Sequence, residues 1–308
     1  MARSALEVAE GVHPTVRGSP SSQQGEFRRF LSNRRAVVGA LLLVALGLSA
    51  VLAPVLAPYD PAEQHTAAAV QPPSAAHPMG TDNFGRDVLS RALWGGRVSQ
   101  LIGLLSMAVS VAVGVTVGGL AGFYGRGVDG ILMRVTETVV TFPTFFLLIT
   151  LVAVFGARVW LLILAIGLTS WPITARVVRA EFLTLREREF VHAARALGAG
   201  GLRLMARHIL PNVVPVVIVA ATLRVAYVIL VEAGLSYLGV GVPPPTASWG
   251  SMVADGRDYL FRAWWISLFP GLFVFLTVMT YNLVGDGLRD AFDPQQVAAR
   301  GSATGVEC

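Results

Sequence analysis

Six long runs of apolar side chains constrain this chain more than any other feature of its sequence. They lie at residues 36–56, 101–123, 135–155, 159–178, 213–235 and 264–284. Each run holds about 20 residues, which at a helical rise of about 1.5 Å covers the roughly 30 Å hydrocarbon core of a bilayer. Only helices and closed barrels satisfy the backbone there, and no ten-residue alternating pattern supports a barrel. The sequence therefore predicts an all-α, polytopic membrane protein with six transmembrane helices.

Arginine placement predicts the orientation of these helices. The chain contains no lysine, and roughly 17 of its 24 basic residues fall on one side of the predicted spans. Positive residues collect on the cytoplasmic side of membrane proteins, so both termini and the loop at about 179–211 are expected to be cytoplasmic. The same rule accounts for the net charge of +5 and gives no reason to expect nucleic acid as a partner.

The segments outside the runs divide the chain further. Residues 1–30 are poor in large apolar side chains and predict a disordered cytoplasmic tail. Residues 31–98 predict a first, uncleaved anchor helix and an extracytoplasmic loop, 99–294 a membrane core, and 295–308 a cytoplasmic C-terminal tail. The single cysteine, Cys308, cannot form an internal disulfide, and no metal-ligand cluster surrounds it.

The loop at about 179–211 is the longest polar segment between two runs on the predicted cytoplasmic side. Residues 185–197 favour a helix, Gly198 ends it, and residues 202–210 favour a second helix that Pro211 ends. Small side chains at Ala193 and Ala194 permit close approach of a partner, and the nearby arginines suit acidic groups. The residues alone equally allow a solvated amphipathic helix or one lying on anionic lipid.

A family resemblance favours a docking partner over a solvated or lipid-bound helix. The run from Glu189 through His192, Ala193, Ala194, Arg195 and Gly198 to Ile209-Leu210-Pro211 resembles the "EAA" loop of bacterial ABC importer permeases. The likeness is strongest to the dipeptide/oligopeptide/nickel group (C-type permeases), in which this loop forms the coupling helix that docks on the ATPase. One position departs: His192 stands where the motif has glutamate, and Glu189, one turn earlier, is a candidate substitute for its ion pair.

Two further segments resemble the same group. Residues 77–91 contain Gly80-Thr-Asp-Asn-Phe-Gly-Arg-Asp87, which as chemistry is more typical of a structural lid than of a binding site, with Asp87 starting a short amphipathic helix. Residues 232–252 contain Glu-Ala-Gly-Leu-Ser-Tyr-Leu-Gly, three prolines and Ser-Trp-Gly-Ser. With the loop, these motifs extend the resemblance over about 28–294.

The resemblance implies the transmembrane permease subunit of an importer in the bacterial cytoplasmic membrane, forming half of a pathway for di- or oligopeptides. Its implied partners are a homologous second permease, two ATPase subunits, an extracytoplasmic solute-binding protein and membrane lipid. The chain itself is expected to be neither an enzyme nor a cofactor protein, because a phosphate-binding loop requires lysine; ATP would be bound by the partner subunits. Nickel complexes, glutathione and oligosaccharides remain alternative solutes at group level.

Two other classes of protein fit less well. A secondary transporter would carry repeats with broken helices and acidic groups at mid-membrane, whereas one carboxylate, Glu232, lies deep in a run. A membrane-embedded enzyme would need converging catalytic groups, whereas the five histidines are scattered.

Within the membrane, two sets of residues attract attention. Gly114, Gly118 and Gly122 recur every four residues, a spacing typical of close helix packing. Arg224 and Glu232 are costly charges in one run and suggest either pathway lining or a structural ion pair, with Glu232 near the outer interface as a further possibility.

Overall fold

A computed structural model describes residues 23–292, with side chains from residue 27 onward. Helices α1–α6 are Gln23–Ser32, Arg34–Val51, Ala53–Leu56, Val88–Tyr124, Arg126–Thr141 and Thr144–Phe155. Helices α7–α12 are Val159–Leu185, Glu189–Ala196, Gly201–Arg203, Leu210–Tyr237, Trp249–Asp255 and Trp265–Phe292. Short 3₁₀ turns lie at Thr66–Ala68 and Arg257–Tyr259, and a π-helical turn at Leu204–Ile209 joins α9 to α10. The described chain has no β-strand, as predicted.

Within the described residues, five helices are long and apolar enough to span a membrane, with α9, the π-helical turn and α10 counted as one, and a bent pair brings the number to six. The bent pair is α5 and α6, whose axes differ by 79°. The break falls at Phe142 and Pro143, because proline lacks the backbone N–H and drives the preceding residue out of helical geometry; Phe142 has ψ 127. The third apolar run was therefore recognised correctly, but it is divided between two helices instead of forming one.

Three other boundaries differ from the sequence-based expectations. The amphipathic helix expected after Asp87 merges with the second run into the 37-residue α4, with Asp87 accepting the Ser90 N–H at its N-cap. Pro211 does not end a helix but lies in the first turn of α10, directly after the π-helical turn at Leu204–Ile209. Residues 23–30, expected to be disordered, belong to α1. Residues 1–22 of the predicted N-terminal tail and the whole predicted C-terminal tail at 295–308 lie outside the described residues.

The segments between the long helices lie at two opposite ends of the bundle. We call the end with residues 186–209 the loop side and the end with residues 57–87 and 238–264 the cap side. Between them α4 packs along α7, the most extensive helix contact of the described chain. Gly114, Gly118 and Gly122 all face α7, and a Cβ at Gly114 would lie 2.6 Å from that of Thr174. These glycines let the two backbones approach.

Candidate functional site

The loop-side segment is built around a glycine-terminated helix. After α7 ends at Leu185 the chain turns before α8, so the helix expected over 185–197 begins later, at Glu189. Gly198 has φ +86, and its N–H reaches the Arg195 carbonyl at 3.0 Å while that of Ala199 reaches Ala194 at 3.1 Å. This pair of bonds is a Schellman C-cap, which needs a left-handed residue best supplied by glycine.

Apolar side chains hold this segment against the bundle. Val191 of α8, Leu204 and Ile209 are almost fully buried, and they share one cluster with Phe182 of α7 and Val213 of α10. The loop therefore packs on the ends of two spans, α7 and α10.

Two loop-side arginines act within the protein. Arg186 donates to the carbonyls of Gly122 and Phe123 at 3.0 and 3.5 Å, where the C-terminal end of α4 favours a cation. Arg179 pairs in a bidentate manner with Asp129 of α5, one of the two bonds measuring 2.6 Å. Arg186 is one of the loop arginines that were expected to suit acidic groups of a partner, but in this structure its guanidinium ties the loop to α4.

The outward face of the loop combines apolar and basic groups. Leu197 and Leu202, on either side of Gly198, are 90% and 77% exposed. Around them lie further exposed side chains of the loop: Arg188, Glu189, His192, Ala193, Arg195, Arg203, Arg207 and Pro211. Of the other predicted loop residues, Ala194 and Leu210 are half-buried and Ile209 is buried. The two leucines were not predicted as site residues, and their only signal in the sequence is their apolar character beside a helix-ending glycine.

His192 takes a different neighbour from the one expected. Its Nε2 lies 3.8 Å from an oxygen of Glu187, and both side chains are more than half exposed. Glu187 also accepts a hydrogen bond from Arg186 at 3.0 Å. No ion pair of Glu189 occurs among the described side chains, so the substitute considered on sequence grounds has no partner within that part of the chain.

Glu232 is enclosed on the cap side rather than facing an open path. Its carboxylate accepts hydrogen bonds from Ser99 of α4, Ser236 of α10 and Ser248 before α11, at 3.2, 2.7 and 2.8 Å. The residue is 1% exposed. Of the roles left open for Glu232, lining a pathway does not fit this conformation, in which its carboxylate joins three helices.

Arg224 is not the partner of Glu232. Its guanidinium lies over the ring of Tyr227, 4.4 Å from the centroid. Its Nε is buried without a hydrogen-bond partner among the described residues, and no acidic side chain in the described chain pairs with it. The residue is partly buried in α10, so its role in a pathway stays a prediction.

Known proteins provide an independent comparison. Residues 114–297 match the family of binding-protein-dependent transport system inner membrane components, and residues 23–73 match the N-terminal TM domain of oligopeptide transport permease C. A protein of Brucella suis biovar 1 assigned as a peptide permease is 45% identical over 269 residues, covering 87% of this chain and 89% of that protein. The di/tripeptide transport system permease protein DppC of Pseudomonas aeruginosa is 42% identical over 282 residues, covering 90% and 93%.

A solved structure shares the fold. The inward-facing MetNI methionine ABC transporter contains a chain that superposes with a TM-score of 0.53 at 18% identity, covering 67% of this chain and 97% of the other. The family match spans more than half of the present chain, and the relatives match nearly all of it. The chain therefore belongs to the binding-protein-dependent transport system inner membrane components, as a multi-pass permease subunit of an ABC importer.

Proposed function

We propose that this permease forms half of a peptide-import pathway and receives the ATP-driven movement through residues 186–203. An ABC importer permease works with an ATPase and a substrate-binding protein. We extend this to two ATPase subunits that bind the ATP and one homologous second permease. One observation carries the proposal. The loop exposes apolar and basic side chains around Leu197 and Leu202 on its outer face, while Val191 on its inner face is buried against the bundle.

The proposed mechanism follows from the contacts between the loop and the membrane-spanning helices. Because the loop is packed on α7 and α10 and hydrogen-bonded to α4, a partner that shifts α8 moves three spans together. Such a partner shifts the conformational equilibrium only if it binds one state more tightly than the other. A nearly complete shift needs a difference of about 5.5 kcal/mol between its binding free energies for the two states. Closure of the ATPase subunits around ATP supplies that preference.

The substrate class rests on the relatives. The Brucella suis relative is named as a peptide permease and the Pseudomonas aeruginosa relative as a di/tripeptide transport system permease, so we propose di- or oligopeptides as the imported solutes. Within the membrane, Arg224 is the proposed pathway residue, because it is a partly buried cation without an acidic partner among the described residues. Its charge suits a carbonyl or carboxylate of a passing peptide.

Uptake by the native importer tests the function. The tagged permease is purified from its native membrane with its bound partners, placed in liposomes with its binding protein, and given a radiolabelled dipeptide and ATP. We expect uptake that depends on ATP, and a complex mass that accounts for two ATPase subunits and a second permease. Uptake of a nickel complex, glutathione or an oligosaccharide in preference to peptides would contradict the substrate class.

The proposed orientation can be tested with the single native cysteine. With the loop side in the cytoplasm, Cys308 reacts with a membrane-impermeant maleimide only after intact spheroplasts are opened. A Cys308→Ser, Phe261→Cys variant carries its thiol at a fully exposed cap-side position and should react in intact spheroplasts. The reverse pattern of labelling would show that the cap side faces the cytoplasm.

A further inference from the structure

Two segments that coupling does not use meet on the cap side. Parts of residues 77–91 and 232–252 line a recess of about 480 Å³ together with the C-terminal part of α11. Three prolines and two glycines form much of its wall, and three charged side chains face it. The wall residues are Gly239, Gly241, Pro243, Pro244 and Pro245, and the charged ones are Arg86, Arg91 and Asp255.

The two arginines present a pair of guanidinium groups to this recess. Their side chains are only 7% and 3% exposed. On the inner side Asp82 accepts from the Nε of Arg86 at 2.6 Å and lies 3.4 Å from the Nε of Arg91. The Nη2 atoms of both arginines point outward and reach a single oxygen of Asp255, each at 3.3 Å. Charge-assisted bonds of this type are usually about 2.7–2.9 Å long, so the outer contact is loose.

Asp255 is an exchangeable counter-ion for this pair. Its side chain is 36% exposed and it ends α11, where the helix dipole disfavours a negative charge. Burial raises the pKa of the Asp255 carboxyl although Arg91 and Arg86 act to lower it, which indicates an imperfectly compensated charge. Rotation of the side chain into solvent would leave the two guanidinium groups open to another carboxylate.

The surroundings of the pair are built to keep its shape. Ser236 and Ser248 each accept a backbone N–H, from Val242 and Ser251, and donate to the carboxylate of Glu232. Because each hydroxyl is fixed by both bonds, the start of α11 and the end of α10 are held together. Proline restricts the backbone further, so the recess needs little reorganisation to bind a ligand.

We propose that this recess binds the C-terminal carboxylate of a transported peptide, which displaces Asp255 from Arg86 and Arg91. The proposal rests on the proposed import of peptides. Exchange of one carboxylate for another leaves the charge at the guanidinium pair balanced, since Asp82 remains in place. A terminal carboxylate is common to all unmodified linear peptides, and a wall of prolines and glycines selects little among their side chains.

A binding experiment on the complete importer tests the proposal. The permease–ATPase complex is placed in nanodiscs without binding protein and titrated with labelled alanyl-phenylalanine or with its C-terminal amide. We expect the free acid to bind and the amide to bind at least about tenfold more weakly. Asp255→Asn removes the competing carboxylate and should strengthen binding of the free acid about tenfold, which corresponds to roughly 1.4 kcal/mol. Asp258→Asn, an exposed cap-side change outside the recess, should leave binding unchanged.

A second variant separates recognition of the carboxylate from folding. Arg86→Lys keeps the charge but loses the planar fork, so the complex that remains folded should bind the free acid about tenfold more weakly, while its weak binding of the amide stays the same. Equal binding of acid and amide would overturn the proposal. The proposal would also be overturned if Asp255→Asn raised the affinity for the solute-binding protein and left the affinity for the peptide unchanged. The recess would then be assigned to an acidic residue of the solute-binding protein. A preparation that lacks ATPase would instead contradict the proposed function.

Discussion

Replacement of Leu197 by aspartate is expected to abolish co-purification of the ATPase while the permease stays folded. Leu197 is 90% exposed beside Gly198, so its substitution removes no packing within the chain. Burial of a leucine at an interface contributes about 1.5–3 kcal/mol, and a buried unpaired carboxylate costs more than that. We expect affinity for the ATPase to fall at least about 100-fold.

The measurement is the recovery of ATPase subunits with the tagged permease, quantified by mass spectrometry. Phe261→Asp is the matched control, because Phe261 is fully exposed but lies on the cap side, away from the loop. The control should retain the ATPase at the native level. Equal recovery with Leu197→Asp and with the control would mean that this loop is not the docking surface, and the exposed leucines would then belong to a lipid-facing helix.

The sequence predicted the spans well because hydrophobic length is a property of each run alone. All six runs correspond to spanning helices or to the bent pair, since neither the lipid nor the backbone requirement depends on distant contacts. The bend at Pro143 was foreseeable as a kink but not in size. An angle of 79° depends on how α5 and α6 pack on α7, which no local pattern records.

The structure of the loop at 186–209 was predicted only in part for a similar reason. Gly198 was identified correctly as a helix end, because a C-cap is encoded by one residue. The sequence did not predict which arginines bind within the chain, because the partners of Arg186, the carbonyls of Gly122 and Phe123, lie more than sixty residues away in sequence. The same holds for Glu232, whose three serine donors come from α4, α10 and the segment before α11. A costly charge in a span can be noticed in the sequence, but its partners appear only in the fold.

Gly118→Val is expected to be the most destabilising single change in the bundle. A Cβ at Gly118 would collide with the backbone carbonyl of Ala175 in α7, at the most extensive helix contact. Overpacking of a core typically costs about 1–3 kcal/mol, and a clash with backbone lies at or above the upper end because no side chain can turn away. The unfolding temperature in detergent should therefore drop sharply, with little folded protein recovered.

The control and the rescue variant make this prediction specific. Gly130→Val introduces the same side chain in α5, where nothing lies within 4 Å, and should leave the unfolding temperature nearly unchanged. Adding Ala175→Gly to Gly118→Val should not restore stability, because the obstructing atoms include the carbonyl that glycine keeps. Recovery in the double variant would show that a side chain, not the backbone, limits how closely α4 approaches α7. The glycines at every fourth position would then be needed to make room for side chains of α7, and not to let the two helix backbones approach each other.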